Sequence, residues 1–275
     1  MKISVIVPVG DKNAWSVCKA SIEQSLSEYR GEVVAEVLPC LDLEHRGAYI
    51  ARNEGLERAT GEWIAWVDCD DIVEPCWFAM IAEAVTHHSD ADIIQFDALE
   101  VKSGMTRPLK YKYKGVVEGG VFARELLRND GMPAWLWTRV FRRELFDGLK
   151  FEGRVKQDYE MFLKLLPRVK NVLSLGRPLY RYIRHGYGLS NYVQSMDYAE
   201  AGRGFEAHIL HLPVEWQNDA CIGLALTMAD VAVHSKDRNG ASSWVRKYLW
   251  KVLSDRKTPL RLKVKCLIAA AKKWV

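Results

Sequence analysis

The sequence lacks the cysteine spacings that bind metal ions or cross-link small secreted domains. Its six cysteines include no Cys-x-x-Cys pair and no Cys/His arrangement with the spacing of a zinc site. We therefore expect neither a zinc site nor a disulfide framework, and a reducing, cytoplasmic environment fits this cysteine usage.

Long hydrophobic runs are also absent. The opening stretch MKISVIVPVG meets Asp11 and Lys12 after a short apolar run, which is too brief for a signal peptide. No other run reaches the roughly 18 residues that identify a membrane-spanning helix. We therefore expect no membrane-spanning segment.

A strong charge of either sign is missing too. The 39 basic and 35 acidic residues leave a net charge of +4, which is too small to predict a nucleic-acid partner. The alternation KYKYK at residues 110–114 is better explained by an edge strand that carries lysines than by nucleic-acid binding. With 49% hydrophobic and 27% charged residues, the 275-residue chain has the composition of an ordinary globular protein.

Strand-like and helix-like segments alternate along the first part of the chain. The pattern predicts strands at ISVIVPV, EVVAEVLP and EWIAWVD, and helices at AWSVCKASIEQSL and at AYIARNEGLERATG, the latter closed by Gly61. Alternating strands and helices predict a parallel sheet, and ligands bind at the carboxyl ends of the strands in such sheets.

The later segments predict more helices. We expect helices at CWFAMIAEAVTHH, VFARELLRN, PAWLWTRVFRRELF and DYEMFLKLLPRV, and strands at ADIIQFDA and NVLSLGRPLYRYIRH. From residue 196 the pattern is helical. The predicted organisation is an α/β domain over residues 1–195 and a helical C-terminal extension over residues 196–275.

Three aspartates follow the strand EWIAWVD in the stretch GEWIAWVDCDDIVEP. Asp68, Asp70 and Asp71 repel one another and resist burial. They can form a solvated turn, since Asp is a common turn residue, or they can bind a divalent cation that relieves the repulsion.

The order of several motifs resembles the family 2 glycosyltransferases of the GT-A fold. The resemblance is carried by SVIVPVG, ARNEGLERATGEWIAWVDCDD followed by EP, ADIIQFD, a Trp with FRRELF, and QDYEMFLKLL before YRY. It covers residues 1–192. It implies a mostly parallel sheet flanked by helices and transfer of a sugar from a nucleotide diphosphate, with inversion at the anomeric carbon.

The resemblance implies a Mn²⁺ or Mg²⁺ site at the D-x-D motif. Asp68 and Asp70 match this motif, and Asp70 is the predicted direct ligand. Asp71 is predicted to be an outer partner or a helix cap. His185, next to Arg184, lies in a segment that often closes over the donor phosphates, and it is the third predicted metal ligand, with a structural histidine as the alternative.

The resemblance also assigns residues to the nucleotide-sugar donor. The predicted donor-binding residues are Pro8, Val9, Asp42, Arg52, Asn53, Asp68 and Arg184. A solvated loop is the alternative for Asp42, and a structural salt bridge is the alternative for Arg52. Family members usually carry a further helix and strand after the second strand, and this unit is missing here.

Two more residues are expected on the acceptor side. Asp158 is the predicted catalytic base for the acceptor hydroxyl, although Gln157 replaces the usual Glu before it. A helix-favouring Asp is the alternative. Trp137 is the predicted acceptor-binding residue because an aromatic face suits a sugar ring, and core packing is its alternative.

The sequence therefore predicts a metal-dependent inverting glycosyltransferase in surface polysaccharide biosynthesis, with a UDP-sugar as donor and a glycan or lipid-linked acceptor. A catalytically degenerate sugar-nucleotide-binding protein and a D-x-D phosphohydrolase are the alternatives. Residues 258–275 form an amphipathic, basic segment that predicts peripheral contact with a membrane, and docking onto the protein's own core is expected to use the same apolar stripe.

Overall fold

The computed structural model describes residues 1–44, 46–128, 133–153, 155–184, 195–234 and 239–271. The chain divides into two compact units. The first comprises Met1–Gly119, Trp135–Glu152 and Arg168–Gly186, and the second comprises Gly120–Ala134, Gly153–Pro167 and Tyr187–Val275. The second unit therefore includes Gly120–Ala134 and Gly153–Pro167, and its last segment begins at Tyr187, whereas the predicted boundary is at residue 195.

The first unit is a mixed sheet with helices. Its strands are β1 (Lys2–Val9), β2 (Val34–Leu41), β3 (Trp63–Trp66), β4 (Ile72–Val73), β5 (Ile93–Lys102), β6 (Met105–Leu109), β7 (Gly115–Glu118), β8 (Arg139–Arg142) and β9 (Asn171–Ile183), and its helices are α1 (Lys12–Glu28), α2 (Ala48–Arg58) and α3 (Trp77–His87). The strand order is β2-β1-β3-β8-β5-β9-β4, with β6 beside β5 and β7 beside β9. The two longest ladders, β1–β2 and β5–β9, are parallel, as the alternating pattern predicted.

The sheet order agrees with the missing helix-and-strand unit. Strand β2 lies at the edge of the sheet, and only six residues, Asp42 through Gly47, separate β2 from α2. Val34 and Leu41 on β2 are correspondingly exposed. By contrast, Ile3, Val5 and Val7 of the central strand β1 are fully buried, because this strand is paired on both edges and covered on both faces.

Gly61 does not close α2 as predicted. The helix ends at Arg58, and Gly61 lies in the turn before β3, where its backbone N donates to Ser4 Oγ at 2.8 Å. A Cβ atom on Gly61 would lie 2.7 Å from the backbone N of Ser4 and 2.9 Å from the carbonyl oxygen of Lys2. Glycine is therefore required here by close approach of two backbones, and not by helix capping.

Two other local predictions are wrong. The predicted helix PAWLWTRVFRRELF is instead β8 followed by a short 3₁₀ turn at Arg143–Phe146, because Val140 and Phe141 are both fully buried in a strand paired with β3 and β5. The segment KYKYK is a loop between β6 and β7 and not an edge strand. Its Tyr111 turns inward, where its hydroxyl contacts Thr138 Oγ1 at 2.5 Å, and this breaks the alternation.

The second unit is helical. Its helices are α4 (Gly119–Leu127, which begins at the last residue of the first segment), α5 (Gln157–Leu165), α6 (Ser195–Ile209), α7 (Val214–His234), α8 (Asn239–Ser254) and α9 (Leu260–Ala271). Arg128 connects three parts of this unit, because its guanidinium bonds to Asp219 at 2.7 Å, to Asp255 and to Thr258. Among the described residues, no helix combines the length and apolar character needed to cross a bilayer.

Candidate active site

The acidic turn lies at the carboxyl end of β3, as predicted. The Val67 backbone N donates to Ile6 O at 3.1 Å, which continues the ladder with β1 for one residue beyond β3. The chain then turns, and the Asp71 backbone N donates to Asp68 O at 3.1 Å. The three aspartates therefore stand at the edge of the sheet where ligands bind in open α/β folds.

The three carboxylates differ in exposure. Asp70 is exposed, Asp68 is half-buried, and Asp71 is only 1% exposed. Burial, with added repulsion from Asp68 and Asp70, raises the pKa of Asp71 to about 9. Asp70 and Asp68 are thus the two carboxylates that can receive a ligand from solvent.

Asp71 is held by β9 and caps no helix. Tyr180 Oη donates to its Oδ2 at 2.9 Å, and the Ile183 backbone N donates to its Oδ1 at 2.7 Å. The N-cap position of α3 is Cys76, five residues further on. The prediction that Asp71 caps a helix is therefore wrong. Asp71 lies beside Asp68 and Asp70, and its role as an outer partner of a metal bound there stays a prediction.

Arg52 places a positive charge beside the acidic turn. Its Nη2 lies 3.6 Å from Asp68 Oδ1, and its guanidinium lies 5.6 Å from the ring centre of Phe151. Its side chain is 11% exposed, against 35% for that of Asp68. This cation reduces the repulsion among the aspartates and fixes the orientation of Asp68.

The residues present fit a hard divalent cation. Carboxylate oxygens are the ligands that Mg²⁺ and Mn²⁺ prefer, and here two of them stand two residues apart on one turn. The buried Asp71 and the cation of Arg52 support this turn from behind. The third predicted ligand, His185, lies outside the described residues.

Asn53 has a clear structural contact. Its Nδ2 donates to Phe151 O, and the Phe151 backbone N donates to its Oδ1, both at 2.9 Å. This reciprocal pair holds the segment around Phe151 against α2. The predicted contact of Asn53 with the donor stays a prediction, since its amide is used here for positioning.

Asp42 is likewise occupied by its own loop. It is 6% exposed, and its two carboxylate oxygens accept from the backbone N atoms of Arg46 at 2.9 Å and Gly47 at 2.8 Å. These bonds shape the connection into α2. The alternative that Asp42 belongs to a solvated loop is therefore wrong. The role of Asp42 in binding the donor base stays a prediction.

The end of β1 offers the donor little side-chain surface. Val9 is fully buried and Pro8 is half-buried. The Asp42 backbone N donates to Val9 O at 2.9 Å, so this strand end and Asp42 form one continuous edge. A donor base would meet mainly Pro8 and backbone atoms here.

Arg184 continues β9 beyond its contact with Asp71. Its backbone N donates to Val101 O at 2.9 Å, and its Nη1 lies 3.2 Å from Glu100 Oε1. Since its side chain is about half exposed, exchange of Glu100 for a phosphate would cost little. Residues 185–194, which follow it in the sequence, are outside the described residues.

Trp137 belongs to an aromatic stack that the sequence analysis missed. Its ring lies nearly parallel to Trp135 at 4.8 Å, to Tyr180 at 4.7 Å and to Tyr182 at 5.4 Å. Trp137 is 5% exposed, whereas Trp135 and Tyr182 are half-buried. The YRY alternation could have predicted part of this stack, because alternate residues of a strand such as β9 lie on the same face, and this places Tyr180 beside Tyr182.

Asp158 lies in the second unit, in the first turn of α5. It is the second helical residue and is half-buried, while the N-cap position is Lys156. Two residues later, Glu160 is buried among Lys164 at 3.1 Å and His208 at 3.6 Å. Burial acts to raise the pKa of Glu160, but His208 and Lys164 outweigh it and lower the pKa. Asp158 is thus the more accessible of the two carboxylates.

Comparison with known proteins gives a family match for part of the chain and a fold for nearly all of it. Residues 40–147 match the family described as Glycosyl transferase family 2. The uncharacterized protein y4gI of Sinorhizobium fredii is 29% identical over 174 residues, covering 58% of this chain and 17% of that protein. The uncharacterized glycosyltransferase YibD of Escherichia coli is 28% identical over 168 residues, covering 57% and 48%. The chain therefore spans less than half the length of either relative.

A solved structure shares the fold of nearly the whole chain. The crystal structure of S. aureus TarS 1–349 in complex with UDP-GlcNAc has a TM-score of 0.67 and 18% identity, covering 98% of this chain and 88% of that one. Residues 40–147, which include the acidic turn after β3, thus match Glycosyl transferase family 2, and the chain shares the GT-A-like fold of TarS.

Proposed function

We propose that the protein is a metal-dependent, inverting glycosyltransferase that acts in surface polysaccharide biosynthesis. The observation that carries this proposal is the acidic turn after β3, with exposed Asp70, half-buried Asp68 and the cation of Arg52 on Asp68. The donor is a UDP-sugar and the acceptor is a glycan or a lipid-linked glycan. TarS was crystallised with UDP-GlcNAc, which supports testing uridine donors first.

The first unit binds the donor. Asp70 and Asp68 would hold Mn²⁺ or Mg²⁺, and a cation bound there would neutralise the charge that develops on the leaving diphosphate. Arg52 keeps Asp68 in place and offers a second positive charge for the diphosphate, and Arg184 exchanges Glu100 for a phosphate oxygen. The part of the site that receives the base and ribose of the donor is formed by Pro8, Asp42 and Asn53.

Asp158 is the proposed base for the acceptor. Inversion in one displacement forms the bond from the acceptor oxygen to the anomeric carbon as the bond to the diphosphate breaks. The acceptor hydroxyl must lose its proton, and one carboxylate can accept it. Asp158 is half-buried at the start of α5 and thus accessible from solvent, whereas Glu160 is buried.

A binding and turnover experiment tests the proposal. Thermal unfolding is measured with UDP, GDP, CDP and ADP, each with and without Mn²⁺, because a ligand that binds only the folded state raises its stability. We expect UDP with Mn²⁺ to raise the unfolding temperature most, and slow UDP-sugar hydrolysis to follow the same metal dependence. Metal-dependent binding with no hydrolysis or transfer would favour the degenerate binding protein. No nucleotide-dependent stabilisation would contradict both readings.

A further inference from the structure

Helix α9 turns an apolar stripe to solvent. The exposed members of this stripe are Leu260, Val264, Leu267 and Ile268, with Leu260 at 75% exposure. The buried residues of α9 are instead Cys266 and Ala269. Docking onto the protein's own core therefore uses the opposite side of the helix, and the expectation that it would use the same stripe is wrong.

Helix α8 adds an exposed tryptophan beside α9. Arg246 Nη1 donates to Ala270 O at 3.2 Å, and Lys263 Nζ donates to Leu253 O at 2.8 Å, so the two helices run side by side in opposite directions. Trp250 lies between these two contacts along α8 and is 77% exposed. It is one helical turn from Arg246 and thus on the same side of α8.

The segment that carries the stripe has charges of one sign, and one of its lysines, Lys265, is paired with Asp230 of α7. Residues 256–275 contain seven lysines and arginines and no aspartate or glutamate. Arg256, Lys257 and Arg261 are exposed at the start of this segment. A two-fold dimer through this face would bring the same cations together, because both copies use the same patch. An anionic surface is instead complementary to it.

We propose that α9, together with Trp250 of α8, lies on an anionic lipid bilayer. An interfacial helix combines an apolar face with flanking lysines and arginines, and an exposed Trp is favoured at the headgroup level. Each cation near an anionic bilayer adds to the attraction, and salt screens this contribution. This inference goes beyond the proposed function, since it concerns a surface of α8 and α9 that takes no part in the proposed catalysis.

Vesicle co-sedimentation of the full chain tests this surface. We expect binding to vesicles of phosphatidylcholine with phosphatidylglycerol, weaker binding at high salt, and little binding to phosphatidylcholine alone. The variants Leu267→Ser/Ile268→Ser and Trp250→Ser should each lower the partition coefficient about tenfold. The variant Lys257→Gln/Arg261→Gln should weaken binding only to the anionic vesicles.

The matched control is Leu210→Ser/Val214→Ser. These residues are 68% and 81% exposed at the connection between α6 and α7 and are not members of the proposed surface, so binding should stay within about twofold. Three outcomes would each overturn the proposal. The control could lose binding to the same extent, or the parent could fail to bind anionic vesicles. The parent could also self-associate in sedimentation velocity, with Leu267→Ser/Ile268→Ser abolishing the self-association. Circular dichroism and thermal unfolding establish that every variant is folded.

Discussion

Tyr180 is hydrogen-bonded directly to Asp71. Its hydroxyl donates to Asp71 Oδ2 at 2.9 Å and accepts from the Asp68 backbone N at 3.0 Å. Its ring is fully buried and stacks on Trp137. One side chain of β9 therefore holds both ends of the acidic turn and joins it to the aromatic stack.

Tyr180→Phe should loosen the acidic turn without removing a carboxylate. Loss of the hydroxyl leaves the Asp68 N–H and the Asp71 carboxyl without this partner, and loss of such outer contacts typically costs 10- to 100-fold in metal affinity. We expect Mn²⁺ affinity, measured by titration calorimetry with UDP present, to fall by about this factor.

Tyr182→Phe is the matched control for that variant. Tyr182 lies on the same face of β9 and stacks on the same Trp137. Removing its hydroxyl should leave Mn²⁺ affinity unchanged. If Tyr180→Phe binds Mn²⁺ as tightly as the parent, while the parent shows metal-dependent UDP binding, the positioning role of Tyr180 is wrong and the proposed function stands.

Asp70→Asn should abolish Mn²⁺-dependent UDP binding. The exposed amide keeps the size of the side chain but removes the negative charge that a divalent cation requires. The unfolding temperature without ligand should change little, because surface substitutions usually stay within about 0.5 kcal/mol. Asp90→Asn, another exposed aspartate of the first unit, serves as the control and should bind normally. Unchanged metal dependence in Asp70→Asn would remove the ligand assignment.

Asp158→Asn should separate transfer from donor binding. Asn cannot accept the acceptor proton, so transfer should fall by roughly 10²- to 10⁴-fold while UDP binding is kept. Glu160→Gln should instead lower stability, because it breaks the buried contacts with Lys164 and His208. Initial rates of transfer and urea unfolding, measured for both variants, compare the loss of transfer with the loss of stability. Near-normal transfer by Asp158→Asn would require another base.

Asn53→Ala should destabilise the first unit by about 1–3 kcal/mol. The substitution removes both hydrogen bonds to the backbone of Phe151 and leaves these backbone groups without this partner. Urea unfolding measures the change in the free energy of unfolding. UDP affinity, measured at a temperature where the variant is folded, tests whether Asn53 also contacts the donor. A loss of UDP affinity with full stability would show that donor binding is the main role of Asn53.

Glu36 should contribute stability that is lost in acid. Burial acts to raise the pKa of this carboxyl, but hydrogen bonds from Lys2, Ser4 and Thr60 outweigh it and lower the pKa to about 2. Since the folded pKa is below the unfolded value of 4.5, the contribution is fully present above pH 4.5 and is lost as the pH falls towards 2. Urea unfolding between these pH values should be less pH-dependent in Glu36→Gln. An identical pH dependence in parent and variant would contradict this.

The sequence determined the features that depend on local pattern. The β-branched run of β1, the alternation into α1 and α2, and the aspartates that follow β3 all lie where the pattern predicts. The sequence lacks the further helix and strand that usually follow the second strand, and β2 accordingly lies at the edge of the sheet. These features follow from side-chain periodicity and turn chemistry, which act within a few residues.

Only the tertiary structure decided the features that depend on distant partners. The segment around Trp137 has apolar residues at helical spacing, yet Val140 and Phe141 form a strand because β3 and β5 offer unpaired edges on both sides. Tyr180 is 109 residues from Asp71 and still contacts its carboxylate. Such contacts form because buried polar groups must find a partner wherever the fold brings one close, and no local pattern records which residue that will be.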